Sequence, residues 1–96
     1  MGIDKLLGEK RSEILRIAGE RGAWNVRVFG SVARGEAGDG SDIDFLVDLE
    51  TGRSLFDMAD LVSELQDLLG RKVDVVTENS IYWILRRRIL KEAVPL

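Results

Sequence analysis

The clearest strand pattern in the sequence is Asp42–Leu49, and its two faces differ in chemical character. Successive side chains of a strand point to opposite faces of a sheet. One face is wholly apolar, with Ile43, Phe45, Val47 and Leu49, whereas the other carries Asp42, Asp44, Leu46 and Asp48. Such a strand predicts a sheet whose apolar face is covered by helices and whose acidic face is partly open.

Helix and strand patterns alternate on both sides of this strand. Their periodicities predict a helix at 3–21, a strand at 23–29, a short helix at 31–34, a helix at 54–69, a strand at 71–77 and a last helix capped by Asn79 or Ser80. In the first strand, Trp24, Val26 and Val28 are predicted to share one face. The order α-β-α-β-α-β-α predicts an α/β (α+β) fold with a small mixed sheet flanked by helices, formed as one domain over residues 1–96.

The composition limits the chemistry that the chain can perform. Its 96 residues include no histidine and no cysteine, which argues against a zinc site and excludes thiolate chemistry. A bound metal would have oxygen ligands, which favours Mg²⁺, or Mn²⁺. The net charge is −3, which disfavours general nucleic-acid binding. No apolar run is long enough for a membrane helix, and we expect a cytoplasmic protein.

Three aspartates are candidate metal ligands. Asp42 and Asp44 leave one face of the predicted strand with about 6.6 Å of rise between them, so both carboxylates can reach one cation or a pair of cations. Alone, the two also fit solvent-facing positions of an edge strand. Asp74 interrupts a second apolar strand, KVDVV, where an acidic residue is disfavoured. If the two strands are neighbours, Asp74 joins the same site; otherwise it is a solvated edge charge.

A glycine and a serine follow the first strand and are candidate phosphate ligands. Gly30 allows the backbone to approach a phosphate closely, and a helix that starts after it presents unpaired N–H groups. The Ser31 hydroxyl can donate to a phosphate oxygen, and Arg34 can add a charged fork one turn later. The alternative is a strand–turn–helix connection in which Ser31 is only an N-cap. A Walker A loop is excluded because no Gly-Lys-Ser/Thr follows.

The combined motif resembles that of one family. GSVARGEAGDGSDIDFLVD, followed by VDVV in a later strand, is similar to the nucleotidyltransferase signature of Gly-Ser, a loop, Asp-x-Asp and a third Asp. The length of the chain and its sequence pattern GSxARG…SDIDFLV are similar to those of the minimal nucleotidyltransferases of the DNA polymerase beta-like superfamily. The resemblance covers nearly the whole chain.

The resemblance implies a role for each candidate residue. Asp42, Asp44 and Asp74 are implied to be catalytic and to hold Mg²⁺, or Mn²⁺, with Asp74 as metal ligand or base. ATP phosphates are implied to bind at Gly30, Ser31 and Arg34.

The resemblance also implies a biological activity. Minimal nucleotidyltransferases are commonly antitoxins that transfer AMP from ATP to a tyrosine hydroxyl of a HEPN ribonuclease toxin. The chain is short, so the partner is expected to complete the site. A homodimer in the absence of that partner is left open.

Two other functions are left open by the sequence. In the first, the protein is an antitoxin that neutralises its partner by binding alone, and the nucleotide site is vestigial. In the second, the helix with Arg86, Arg87 and Arg88 binds RNA or DNA, which the acidic composition disfavours. The same arginines and Lys91 fit either a solvated helix face or docking to an acidic partner. Trp83 beside them is expected in the core.

Overall fold

The structure, a computed structural model, describes residues 3–38 and 40–96. Helices and strands alternate along this part of the chain. In chain order the elements are α1 (Ile3–Glu20), β1 (Ala23–Phe29), α2 (Gly30–Ala33), β2 (Ile43–Leu49), α3 (Leu55–Leu69), β3 (Val73–Val76), a 3₁₀ turn (Glu78–Ser80), α4 (Trp83–Glu92) and β4 (Val94–Pro95). Within the described residues, no helix combines the length and the apolarity needed to cross a membrane.

The four strands form one mixed sheet in the order β3-β2-β1-β4. β2 pairs with β3 in parallel, whereas β1 pairs with β2 and with β4 in antiparallel fashion. This arrangement confirms the predicted fold class. It also makes β2 a neighbour of β3, so the condition for bringing Asp74 towards Asp44 is met.

The apolar face of β2 forms the centre of the core. Ile43, Phe45 and Val47 are buried, Phe45 completely, and Leu49 packs at the margin of the same cluster. α1 packs against β1, α3 packs against β3, and the two helices contact each other. Both long helices therefore cover the apolar face, as the sequence predicts, and Asp44 and Asp48 leave the sheet on its other face.

The predicted face of Trp24 is wrong because β1 contains a bulge. The register of β1 against β2 shifts between Trp24 and Arg27, and Asn25 has a positive φ of 50°. The extra residue places Trp24 opposite Asp48, on the acidic face, where 59% of its surface is exposed. A strict alternation cannot reveal such an inserted residue, and asparagine is among the residues that tolerate this backbone conformation.

The start of α3 agrees with the sequence in detail. Ser54 is the N-cap, its hydroxyl accepts from Phe56 N at 3.2 Å, and its own N–H donates to Asp57 Oδ2 at 3.1 Å. This reciprocal pairing is a capping box, which satisfies backbone donors that the first helical turn leaves unpaired.

Substituting this cap should destabilise the fold moderately. We expect Ser54→Ala to lower the free energy of unfolding by about 1 kcal/mol, because a first-turn N–H loses its acceptor. Ser63→Ala, at an exposed position within α3, is the matched control and should be neutral or slightly stabilising, because alanine favours helix interiors. Urea unfolding of both variants measures the difference, and equal destabilisation would contradict the role of the cap.

The C-terminal region departs most from the sequence-based expectations. The predicted cap at Asn79 or Ser80 is wrong because these residues lie in the 3₁₀ turn. Ile81 has an extended backbone and Tyr82 is the N-cap, so α4 begins only at Trp83. Trp83 is 74% exposed rather than in the core. β4 was not predicted; it arises because Val94 pairs with Val28 at the free edge of β1.

Candidate active site

Asp44 and Asp74 lie side by side at the start of two parallel strands. They are register partners on β2 and β3, so their side chains leave the same face of the sheet from strands about 4.8 Å apart. Asp44 is half-buried and Asp74 is exposed. The structure therefore unites two of the three predicted acids in one local site.

Asp42 lies beside this pair rather than on the same strand. β2 begins at Ile43, so the prediction that Asp42 belongs to the strand is wrong, and its side chain is exposed. Its charge nevertheless acts on Asp44. Among residues 3–38 and 40–96, no three acidic side chains are arranged closely enough to hold a metal ion in the present side-chain positions. The donors are all carboxylates, which is the ligand chemistry that Mg²⁺ and Mn²⁺ prefer.

At the opposite end of the same face, the negative charge of Asp48 is compensated by neighbouring side chains. Asp48 accepts from Arg27 at 3.1 Å and from Asn25 at 3.0 Å, and Arg27 also approaches Glu78. Within the described part of the chain, neither Asp44 nor Asp74 has a hydrogen bond or a salt bridge of this kind. Carboxylates grouped without a cation repel one another, so the two ends of the face differ in how their negative charge is compensated.

Gly30 forms the wall of the site next to Asp44. Phe29 is the register partner of Asp44, and Gly30 follows it with a φ of 73°. A Cβ atom at residue 30 would lie 2.3 Å from Asp44 Oδ2, which is far inside van der Waals contact. Only a residue without a side chain fits both the positive φ and the approach of the carboxylate.

Ser31 is not the cap of α2. The N-cap position is occupied by Phe29, which makes no side-chain cap hydrogen bond, so the alternative role of Ser31 as an N-cap is wrong. Its carbonyl accepts from Glu36 N at 2.9 Å. In the described residues its hydroxyl has no protein partner, and it remains a predicted phosphate ligand.

Arg34 is held by two glutamates, one of which sequence reasoning missed. Its Nε donates to Glu36 Oε2 at 2.9 Å, and a terminal guanidinium nitrogen donates to the carboxylate of Glu92 in α4. The hydrogen bonds that Arg34 donates to Glu92 and Glu36 raise the pKa of Arg34 further above its usual range. Glu92 lies 58 residues from Arg34 in the chain, and the only local signal is an acid at the end of a basic helix.

The pKa of Asp44 is raised above its ordinary value. Burial is the largest cause, followed by repulsion from Asp74, Asp42 and Glu92, and attraction by Arg34 opposes these effects. Functional carboxylates commonly show this combination of burial and like charges. Bound cations reverse the preference, since they favour the charged carboxylate.

The raised pKa predicts a pH dependence of stability. Because the folded protein holds the Asp44 proton more tightly than the unfolded chain, the free energy of unfolding falls as pH rises from the unfolded to the folded pKa, and the loss is complete above the folded pKa. We expect Asp44→Asn to remove this contribution and to raise Tm at pH 7 without metal. Thermal unfolding between pH 3 and 8 tests this; Asp67→Asn, exposed on α3, is the control. If Tm changes with pH in Asp44→Asn as it does in wild type, the prediction is contradicted.

Comparisons with known proteins agree with this fold. The nucleotidyltransferase domain family matches residues 11–96. A protein adenylyltransferase of Methanocaldococcus jannaschii is 44% identical over 90 residues, which cover 94% of this chain and 97% of that protein. Protein adenylyltransferase MntA of Thermococcus cleftensis is 37% identical over 96% of this chain and 90% of its own.

Comparison with solved structures indicates the same family. A minimal nucleotidyltransferase superimposes with a TM-score of 0.86 at 48% identity, covering 96% of this chain and 94% of its own. A toxin–antitoxin structure with AMP-PNP shares the fold at a TM-score of 0.75 and 21% identity, covering 88% of this chain and 69% of its own. The chain belongs to the nucleotidyltransferase family, as one of its minimal members, and is an enzyme of that class.

Proposed function

We propose that the protein transfers AMP from ATP to a tyrosine hydroxyl of a partner protein, a HEPN ribonuclease toxin, and thereby acts as its antitoxin. The observation that carries this proposal is the pair of in-register carboxylates, Asp44 and Asp74, which form no salt bridge within the described residues, with Asp44 beside the backbone of Gly30. Two relatives are named protein adenylyltransferases, and one structural neighbour is a toxin–antitoxin with AMP-PNP.

The acids fit a hard divalent cation by their chemistry. Asp42, Asp44 and Asp74 offer only oxygen donors, and the exposed Asp42 and Asp74 side chains are held by no hydrogen bond or salt bridge within the described residues. When held by these residues, Mg²⁺ or Mn²⁺ would lower the pKa of the acceptor hydroxyl and offset charge on the phosphates. The proposed ATP ligands are the backbone at Gly30, the hydroxyl of Ser31 and the guanidinium of Arg34.

The proposed reaction is a substitution at the α-phosphorus of ATP. The acceptor oxygen forms a bond to this phosphorus, the bond to the bridging oxygen breaks, and pyrophosphate leaves. Asp74 is the proposed acceptor of the hydroxyl proton, because it is the exposed carboxylate of the in-register pair and the chain has no histidine. The partner supplies the tyrosine, and docking it over the acidic face excludes water that would compete as a nucleophile.

The proposal can be tested by mass spectrometry. The protein, ATP, Mg²⁺ and the ribonuclease are expected to give a mass increase of one or more AMP units on the ribonuclease. An Asp42→Asn/Asp44→Asn double variant should abolish the increase. An Asp60→Asn/Asp67→Asn double variant, which makes the same charge change on exposed positions of α3, should retain it.

The same variants separate catalysis from binding in cells. If the Asp42→Asn/Asp44→Asn variant still neutralises the toxin fully, the protein acts by binding alone and the proposed transfer is not the neutralising step. Loss of neutralisation with retained complex formation supports the enzymatic mechanism.

Metal removal provides a separate prediction. We expect EDTA to abolish the transfer and added Mg²⁺ or Mn²⁺ to restore it, because the carboxylates would otherwise repel the phosphates. Zn²⁺ should restore it poorly, since the site has no nitrogen or sulfur ligand. Transfer that continues at full rate in EDTA would contradict the role assigned to the acids.

A further inference from the structure

α4 is attached to the rest of the protein along one side only. It has no buried residue, and among its residues only Ile89 and Glu92 are partly covered. At 100° per residue, Trp83, Arg87, Leu90 and Lys91 lie on the side opposite these two, with Arg86 on the flank. We call these five residues the outer α4 surface.

Aromatic and apolar side chains are unusually exposed on and beside this surface. Trp83 and Leu90 are 74% and 38% exposed, and the neighbouring Tyr82 is 64% exposed. The two aromatic rings lie 6.3 Å apart, so they form one patch. Tryptophan, tyrosine and arginine are the residues that most often anchor protein–protein interfaces.

The charge of α4 is opposite to that of the whole protein. Arg86, Arg87, Arg88 and Lys91 lie on this helix, whereas the chain has a net charge of −3. In the described residues, none of the four has an ion-pair partner, although other arginines of the protein are paired. Unpaired cations around an aromatic patch are complementary to a protein surface with carboxylates around an apolar depression.

The position of α4 connects this surface with the candidate active site. Its last turn carries Glu92, which forms a salt bridge with Arg34. A groove of about 390 Å³ runs between α2 and α4 and is lined by Ala33, Arg34, Arg88, Lys91 and Glu92. Lys91 belongs both to this groove and to the outer α4 surface, so a macromolecule bound to that surface would lie beside the rim of the acidic face.

We infer that the outer α4 surface binds the acceptor protein, through an acidic patch of that protein with an apolar centre. The inference rests on the proposed function for the identity of the occupant, and it adds the surface and the chemistry by which the occupant is recognised. Trp83 is the apolar anchor, and Arg87 with its flanking cations selects carboxylates and sets the orientation.

Binding measured without ATP tests this surface separately from catalysis. The probe is the purified HEPN ribonuclease, titrated calorimetrically with the full-length protein. Trp83→Ala and Arg87→Glu are each expected to weaken binding at least about tenfold, as for interface anchors. The matched controls are Phe56→Ala, a similarly exposed aromatic residue on α3, and Arg16→Glu, an exposed arginine on α1. Both should stay within twofold of wild type.

Transfer kinetics give the second measurement. The two α4 variants should raise KM for the ribonuclease in parallel with Kd, and leave KM for ATP and kcat at saturating ribonuclease unchanged. If no AMP is transferred but the α4 variants alone lose binding, the proposed function fails and the docking surface stands. If AMP is transferred and all four variants bind like wild type, the docking surface is wrong and the proposed function stands.

Two further results would overturn the inference. The first is a wild-type protein that does not bind the ribonuclease. The second is a single-stranded RNA that binds the wild-type protein but not the Arg87→Glu variant, while that variant still binds the ribonuclease as wild type does. This result would assign α4 to nucleic-acid binding.

Discussion

Asp74→Asn is expected to reduce AMP transfer by about 10³-fold, because it removes both a proposed metal ligand and the proposed proton acceptor. Asparagine has nearly the same shape and Asp74 is exposed on β3, so the fold should be retained. kcat/KM for the ribonuclease, with ATP and Mg²⁺ saturating for wild type, is the measurement. Asp67→Asn, an exposed aspartate on α3, controls for the change in net charge and should keep full activity.

The same variant should change the titration of its neighbour. Burial is the largest cause of the raised pKa of Asp44 and persists in the variant, whereas repulsion from Asp74, the second cause, is removed. The pKa of Asp44 should therefore move down, part of the way towards its ordinary value, as followed by NMR of the carboxyl carbon. Full activity together with an unchanged Asp44 pKa would show that the two carboxylates do not act as one site.

The sequence predicted those features that depend on residues close together in the chain. The capping box needs only Ser54 and Asp57, and the two faces of β2 follow from strict alternation. The pairing of Asp44 with Asp74 could be predicted only conditionally, because it depends on β3 being placed next to β2. Recognition of the family motif supplied the interpretation that local patterns left open.

The features that escaped prediction are set by tertiary contacts. The bulge at Asn25 moves Trp24 across the sheet without any change in the apolar pattern. The exposure of Trp83 follows from how little of α4 packs on the protein, which side-chain hydrophobicity does not report. Glu92 lies near the site only because α4 packs beside α2, where Glu92 contacts Arg34. No sequence pattern near Asp44 could therefore predict its position.

Gly30→Ala is the second change with a large expected effect, and Gly35 provides an unusually close control. Both glycines have a φ of 73°, but a Cβ at residue 30 would lie 2.3 Å from Asp44 Oδ2, whereas a Cβ at residue 35 meets nothing within 4 Å. Each alanine therefore incurs the strain of a left-handed backbone, about 1–2 kcal/mol. Only Gly30→Ala also displaces the Asp44 carboxylate.

Comparing the activities of these two variants separates the effect of the contact between residue 30 and Asp44 from the effect of the left-handed backbone. A displacement of about 1 Å of a catalytic group can cost about 10²-fold in rate, so Gly30→Ala should lose at least that much transfer, while Gly35→Ala retains most of it. Urea unfolding and transfer kinetics on both proteins provide the comparison. If the two variants lose stability and activity equally, the contact between Gly30 and Asp44 has no functional role, and the glycine serves only the turn. A selective loss of transfer in Gly30→Ala would instead show that the turn after β1 and the acid of β2 must fit together for the site to work.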